Sequence, residues 1–229
     1  MLRIASYNVH GFVGTDGRRD VARIASVLRN IDADVIALQE VTFDGSAGEA
    51  AEPVEILAEL SGYSSVCAPI QRHDGLPFGN AILTKLPMTG SRRICLSYEQ
   101  REPRTALEVS IDTGARPLRV VATHLGLRPA ERRFQVRRIL EHVAGDEHSV
   151  TVLLGDFNEW FLAGRPLRWL NARFGRGPLV RTYPSRFPML ALDRIWVHPR
   201  RALARFDAHF TRECRYASDH LPVVAQVEV

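Results

Sequence analysis

The 229-residue chain predicts a mixed α/β fold, with strands gathered in packed sheets and helices outside them. Three observations predict it. Helical apolar spacing and strand-like apolar runs are interleaved along the whole length. The strand-like runs outnumber the helical ones, and many follow one another directly, which argues against a purely alternating parallel sheet. The hydrophobic share is 45% and the charged share 24%, enough to bury a sizeable core. No repeat, low-complexity stretch or linker interrupts the chain, so a single domain over residues 1–229 is expected.

The elements follow in order. Leu2 to Asn8 predicts a strand. Residues 20–30 place Val21, Ile24, Ala25 and Leu28 on one helix face, with Asp20 as the cap. Residues 34–39 form a short buried-type strand. Pro53 opens a second helix through Leu60, and Gly62 closes it. Strands are expected at 64–68, 79–84, 105–111 and 117–123. Pro129 starts a basic amphipathic helix to Val143. Val150 to Leu154 is a strand, and a helix containing Leu167, Trp169 and Leu170 follows. The last strands lie near 192–197, 203–210 and 222–229. Residues 42–52, with Gly45, Ser46, Ala47 and Gly48, predict a surface loop, as do 69–78.

Charge and cysteine usage narrow the class. No apolar run approaches the roughly 20 residues of a bilayer span, and Met1 to Ala5 lacks the layout of a secretory signal. Cys67, Cys95 and Cys214 form neither a zinc pattern nor a disulfide framework. A cytoplasmic setting is expected, with peripheral membrane contact left open. The charge is lopsided: residues 1–62 hold five Arg against ten acids, and residues 165–215 hold twelve Arg against three. A basic C-terminal third suits a phosphate-bearing substrate or an anionic surface, or it is simply solvated.

Polar residues flank the apolar runs. Asn8 ends the first strand, Glu40 follows 34–39, and His124 follows 117–123. Asp156 and Asn158 follow 150–154, Asp193 opens 192–197, and Asp219-His220 precede the last strand. Any one has an ordinary explanation: a turn for Gly155-Asp156-Phe157-Asn158, a salt bridge to Arg194 for Asp193, a structural role for His124. Together they can converge at one sheet edge, held rigidly by the runs behind them. Carboxylate and carboxamide oxygens are the donors that hard divalent cations prefer. His10, close to Asn8, reads as a supporting loop residue.

The ordered set Tyr7-Asn8-Val9-His10-Gly11, Leu38-Gln39-Glu40-Val41, Gly79-Asn80-Ala81-Ile82-Leu83, Thr123-His124-Leu125, Gly155-Asp156-Phe157-Asn158, Leu192-Asp193-Arg194-Ile195 and Ser218-Asp219-His220-Leu221-Pro222-Val223 resembles the endonuclease/exonuclease/phosphatase superfamily, the fold of deoxyribonuclease I. The resemblance spans nearly the whole chain in the family's order. It implies a four-layer sandwich of two central mixed sheets flanked by helices. It also implies phosphoester hydrolysis with Mg²⁺, or Mn²⁺ as a substitute. Glu40 is then the main metal ligand, with Asn8 and Asp219 completing or bordering the site. Asp156 orients and deprotonates water, and Asn158 holds the water or a phosphate oxygen. His220 faces the phosphate with Asp193 fixing its tautomer, and His124 contacts the phosphate as well. Arg104 and Asn80 are substrate contacts, with Arg101 competing for the role of Arg104.

Departures from the family's DNA-repair members shape the substrate. Apurinic-site endonucleases usually carry a small residue and then lysine after Gln-Glu, where this chain has Val41-Thr42. They usually place a tryptophan shortly before Ser-Asp-His, where Arg215-Tyr216-Ala217 stand. The forms here look more like bacterial hydrolases related to sphingomyelinases and inositol-phosphate phosphatases. The expected activity is hydrolysis of a phospholipid headgroup or small phosphodiester. The alternatives are a metal-dependent nuclease acting on nucleic acid and a catalytically silent binding module. An exposed rim at Trp160, Phe161 and Leu162 would favour membrane approach, whereas core packing of a helix start would remove that signal.

Overall fold

The computed structural model describes residues 1–43, 53–71, 77–145 and 149–229. The strands are β1 (Leu2–Asn8), β2 (Val35–Thr42), β3 (Ser64–Gln71), β4 (Pro77–Thr84), β5 (Met88–Cys95), β6 (Thr105–Ile111), β7 (Leu118–His124), β8 (Val150–Asp156), β9 (Asp193–His198), β10 (Leu203–Ala208) and β11 (Val223–Val227). The helices are α1 (Val21–Ile31), α2 (Pro53–Ser61), α3 (Pro129–Val143), α4 (Arg165–Phe174) and the single turn α5 (Cys214–Ala217).

The strands form a six-stranded sheet, β10-β11-β1-β2-β4-β3, and a five-stranded sheet, β5-β6-β7-β8-β9. β1 and β2 are parallel, as are β7 and β8, while the other pairings are antiparallel. Three apolar layers bind the fold. Ile24, Leu28 and Ile31 of α1 and Leu57 of α2 pack on Tyr7, Ile36 and Leu38 of the first sheet. Ile4, Val35 and Ile82 meet Val109, Val120 and Leu154 between the sheets. Val136 and Ile139 of α3 and Leu170 and Phe174 of α4 cover Val121, Leu153 and Trp196. The result is helices, sheet, sheet, helices. Central strands buried on both faces read as nearly unbroken apolar runs, which is why they stand out in the sequence.

Local chemistry sets the element ends. Asp20 caps α1 by accepting from the Arg23 N–H at 2.9 Å. Gly62 ends α2 at φ +75°, its N–H donating to Ala58 O at 2.8 Å.

The structure corrects several boundaries. β2 runs on to Thr42 instead of stopping before Glu40, because its pairing with β4 slips between Leu38 and Val41 and then resumes. The segment 69–78 is largely strand at both ends, and residues 72–76 lie outside the described residues, as do residues 44–52 of the other expected loop. Asp156 is the last residue of β8. β5 had no apolar signature: it is an edge strand with Thr89 through Arg93 exposed, so only Ile94 needed to be buried. Among the described residues no helix is long and apolar enough to cross a membrane.

Candidate active site

Backbone register alone brings the polar residues together. His124 pairs with Asp156 across the parallel β7–β8 ladder, and Asp156 pairs with Asp193 across β8–β9. In the other sheet Asn8 pairs with Gln39, and Ser6 pairs with Val223, which follows Asp219 and His220 closely. One edge of each sheet therefore contributes to a cleft of about 600 Å³, whose lining includes Glu40, Arg104, His124, Asp156, Asn158, Asp219 and His220.

Backbone positions at positive φ shape this edge, Glu40, Asn158 and Gly155 among them. Glu40 sits at φ +55°, inside the β2 register slip, where the extra length turns its carboxylate out of the ladder. Asn158 sits at φ +50° and its N–H donates to Asp156 Oδ1 at 2.9 Å. Gly155 sits at φ +142°, and a Cβ there would stand 1.8 Å from Thr123 O of the neighbouring strand. Only glycine lets β8 run that close to β7 and still deliver Asp156 to the cleft floor.

Asp156 is the hub. Asn8 donates its side-chain amide to Glu40 Oε1 at 2.9 Å and to Asp156 Oδ2 at 3.1 Å, clamping two carboxylates that come from different sheets. The Asn8 oxygen accepts from the His10 N–H at 3.0 Å. Its amide nitrogen, rather than its oxygen, thus faces the acidic groups. The same Asp156 Oδ2 lies 3.6 Å from His124 Nε2 and 3.7 Å from His220 Nε2.

The surroundings push the two imidazoles in opposite directions. Burial lowers the pKa of His124 well below 6.5, and the charges of Arg104 and His220 push the same way. Its ring faces donors on both sides, Asn158 Nδ2 at 3.0 Å from Nε2 and Arg104 Nη1 at 3.5 Å from Nδ1. Burial also opposes a charge on His220, but Asp193 and Asp156 outweigh it and raise that imidazole to about 10. His220 Nδ1 is 2.8 Å from Asp193 Oδ2. Thr182 donates its hydroxyl to that oxygen at 2.5 Å, and the Tyr183 ring lies 4.9 Å from the imidazole. Burial raises Asp156 to about 6, Asp193 adds to the rise, and His220 opposes it.

The other sequence-derived positions lie around this hub or beneath it. Glu40 and Asp219 are the open carboxylates, with side chains 32% and 31% exposed. Arg104 is buried, holds Glu102 at 2.8 Å, and lies with its guanidinium 5.3 Å from the Phe78 ring centre. Asn80 is brought beneath the cleft instead of into it: it is buried and donates to Thr105 O at 2.8 Å, tying β4 to β6 beside Arg104. Trp160, Phe161 and Leu162 are 56%, 62% and 54% exposed, so the core-packing alternative for them is overturned. Sequence reasoning missed Glu102, Thr182 and Tyr183, and it quoted Ser218 in a motif without giving it a role. Ser218 donates to Asn8 O at 2.7 Å and so joins the β1 end to the turn before β11. Thr182 and Tyr183 lie in an irregular segment with no periodicity to mark them, while Ser218 stood next to Asp219 in plain view.

Comparison with known proteins adds to this geometry. A family model described as the Endonuclease/Exonuclease/phosphatase family matches residues 5–220. The uncharacterized protein YbhP of Escherichia coli (strain K12) is 30% identical over 247 residues, covering 100% of this chain and 96% of that protein. A solved endonuclease/exonuclease/phosphatase family protein from Leptotrichia buccalis superposes with a TM-score of 0.81 at 15% identity, covering 100% of each chain. The mannosyl-6-phosphatase Bt3783 of Bacteroides thetaiotaomicron has a TM-score of 0.75 at 20% identity, again over 100% of each chain.

Proposed function

The chain belongs to the endonuclease/exonuclease/phosphatase family, and from that premise we propose that it is a Mg²⁺-dependent phosphodiesterase acting on a phospholipid headgroup or small phosphodiester. The observation that carries this reading is the position of Asp156, 3.6 Å from the His124 imidazole and 3.7 Å from that of His220, and clamped by Asn8 to the open carboxylate of Glu40.

The donor set fits a hard divalent cation. Ligand atoms of Glu40, His124 and Asp156 lie within 4.8 Å of one another, and Asp219 offers a further part-exposed carboxylate. In this reading Glu40 and Asp219 are the ligands, as the family resemblance implies, and Asn8, which donates to Glu40, is the clamp that aims it. Mn²⁺ suits the same donors. A bound cation supplies Lewis-acid polarisation of a phosphoryl oxygen and offsets charge on the leaving oxygen.

The remaining groups divide the proton work. Asp156, raised to about 6, holds an attacking water and takes its proton near neutral pH. His220 carries its charge into that range and so donates through Nε2, while Asp193 keeps the Nδ1 proton in place. His124, Asn158 and the Arg104 guanidinium border the same space and offer preset contacts to non-bridging oxygens. A silent binding module is disfavoured because each of these positions keeps a chemically competent side chain. The nuclease reading stands second, on the arginine excess of residues 165–215. The similarity to a mannosyl-6-phosphatase keeps a sugar-phosphate monoester in the panel of substrates. The proposed setting is cytoplasmic, with peripheral membrane contact.

The test is a panel of soluble diester, sugar phosphate, supercoiled plasmid and phospholipid vesicles, each with Mg²⁺ and with a chelator. Turnover should need the metal and disappear in Asp156→Ala and His220→Ala. Undiminished turnover in either variant overturns the assignment, and plasmid cleavage without headgroup release replaces it with the nuclease reading.

A further inference from the structure

Among the described residues, three of the loops that frame the polar floor of the cleft raise large apolar side chains into solvent. Leu127 follows β7 and is 63% exposed. Trp160, Phe161 and Leu162 follow the strained Asn158. Phe187 and Met189, 74% and 67% exposed, sit on the loop closed by the Tyr183–Leu190 bridge. Leu127, Trp160, Tyr183 and Leu190 line the cleft, so these loops are its rim. Each apolar tip has an exposed arginine close by in the chain: Arg128 beside Leu127, Arg165 after Leu162, and Arg186 before Phe187.

The tips are displayed by hydrogen-bonded turns. Glu159 accepts from the Phe161 N–H at 3.1 Å, and the Gly164 N–H donates to Phe161 O at 2.8 Å. Phe187 and Met189 donate their N–H groups to Pro184 O and Tyr183 O at 3.0 and 2.9 Å. The buried Arg132 stands with its guanidinium 5.3 Å from the centre of the Trp160 ring.

We propose that this rim docks on an anionic phospholipid bilayer, so that the scissile ester is presented from the membrane surface. The proposal rests on the phosphodiesterase reading and narrows its substrate class to lipid in a bilayer. Charge and shape select this occupant. Tryptophan, phenylalanine and leucine at the headgroup boundary, with guanidiniums at the phosphate level, are the groups an anionic interface binds. A nucleic acid would use the aromatic faces but leave Leu127, Leu162 and Met189 without a partner. A protein seated on all three loops would seal the catalytic cleft they surround. A bilayer satisfies the rim and supplies the substrate through the same opening.

The experiment is sedimentation of the full chain with vesicles of phosphatidylcholine alone or mixed with phosphatidylglycerol, beside turnover of a soluble diester in Mg²⁺. The wild type should bind the mixed vesicles, more weakly as salt rises. Phe161→Ser/Leu162→Ser/Phe187→Ser/Met189→Ser should lose about tenfold or more in binding while keeping soluble-diester turnover. Arg128→Gln/Arg165→Gln/Arg186→Gln, which leaves the apolar tips intact, should lose the preference for anionic vesicles. Wild-type protein that ignores mixed vesicles, or a serine variant that binds them as well as wild type, overturns the proposal. So does a serine variant whose main loss is of single-stranded DNA binding. Vesicle binding that obeys the variants, without turnover of any diester, would preserve the docking surface and remove the phosphodiesterase reading.

Discussion

Asp193 Oδ2 lies 2.8 Å from Nδ1 of His220, while the other ring nitrogen faces Asp156 at 3.7 Å. The carboxylate therefore fixes which nitrogen can serve the cleft, and its charge helps to raise the imidazole to about 10 against the pull of burial. Asp193→Asn keeps the shape and removes both effects. Diester turnover should fall on the order of 10²–10⁴-fold. The alkaline limb of the kcat/KM profile should also move to lower pH, because His220 loses the charge that holds its proton. A profile that falls in height but stays in place would show Asp193 to be a packing residue alone.

In the proposed reading Glu40 holds the cation, and its removal has a readout apart from activity. A ligand that binds only the folded state stabilises it, by about 2.7 kcal/mol at 100 times its dissociation constant. Mg²⁺ should raise the melting temperature of the wild type, and Glu40→Gln should abolish most of that rise while folding normally without metal. An equal Mg²⁺ shift in both proteins would place the cation elsewhere.

The strands that build the two-sheet core were legible because Ile36 to Leu38 or Val150 to Leu154 are buried on both faces and leave apolar runs, broken only by Thr151 in the second. β5 was not legible, since an edge strand with Arg92 and Arg93 in solvent carries no period. The site was legible where polar residues end such runs, as at His124 and Asp156. It was hidden where an irregular loop folds back, as at Thr182 and Tyr183. The orientation of Asn8 was hidden for a different reason: residue type does not reveal whether the amide nitrogen or the oxygen faces the carboxylates, and the contacts to Glu40, Asp156 and His10 decide it. Asn80 shows the converse, a residue in a recognisable motif whose side chain ties two strands beneath the cleft.

Gly155→Ala tests the close approach of β8 to β7. The new Cβ meets the Thr123 backbone carbonyl, not the movable end of a side chain, and φ +142° adds strain. A loss of about 3 kcal/mol or more is expected by urea unfolding, larger than the typical effect of a point substitution. A loss under about 1 kcal/mol would mean that the two strands can part without cost.

His124 makes stability depend on pH in a direction set by its surroundings. Its folded pKa lies well below the unfolded value of about 6.5, because burial and the charges of Arg104 and His220 oppose protonation. The unfolded chain then binds the extra proton first, so stability is lost as pH falls through about 6.5, by up to about 1.4 kcal/mol per pH unit. Asp156 has the opposite sign: raised to about 6, it holds its proton more tightly when folded and gains stability as pH falls toward 4. The contribution of His220 is already complete below pH 6.5 and is lost only as pH rises toward about 10. The difference between wild type and His124→Gln isolates the first effect. Urea unfolding at pH 7.5 and 5.5 should show a larger acid loss in the wild type, and equal losses would remove the buried neutral imidazole from the account.

Arg132 and Glu159 form a buried ion pair at 3.1 Å, and both residues are nearly fully enclosed. Arg132 also donates to Leu127 O at 2.6 Å, and Glu159 accepts from the Phe161 N–H. The pair therefore links the starts of two loops that frame the cleft. Glu159→Ala leaves a guanidinium buried without its counter-charge, a change that costs about 3–5 kcal/mol in comparable settings. Replacing both residues by apolar side chains of similar volume removes the stranded charge, so Arg132→Met/Glu159→Leu should be more stable than Glu159→Ala alone. The double variant should still loosen the loops, since the bonds to Leu127 and Phe161 are gone. Hydrogen exchange at residues 159–164 should rise in both variants, even where urea unfolding shows stability regained in the double one. If exchange in that segment matched wild type in the double variant, the ion pair would contribute to stability without positioning the rim.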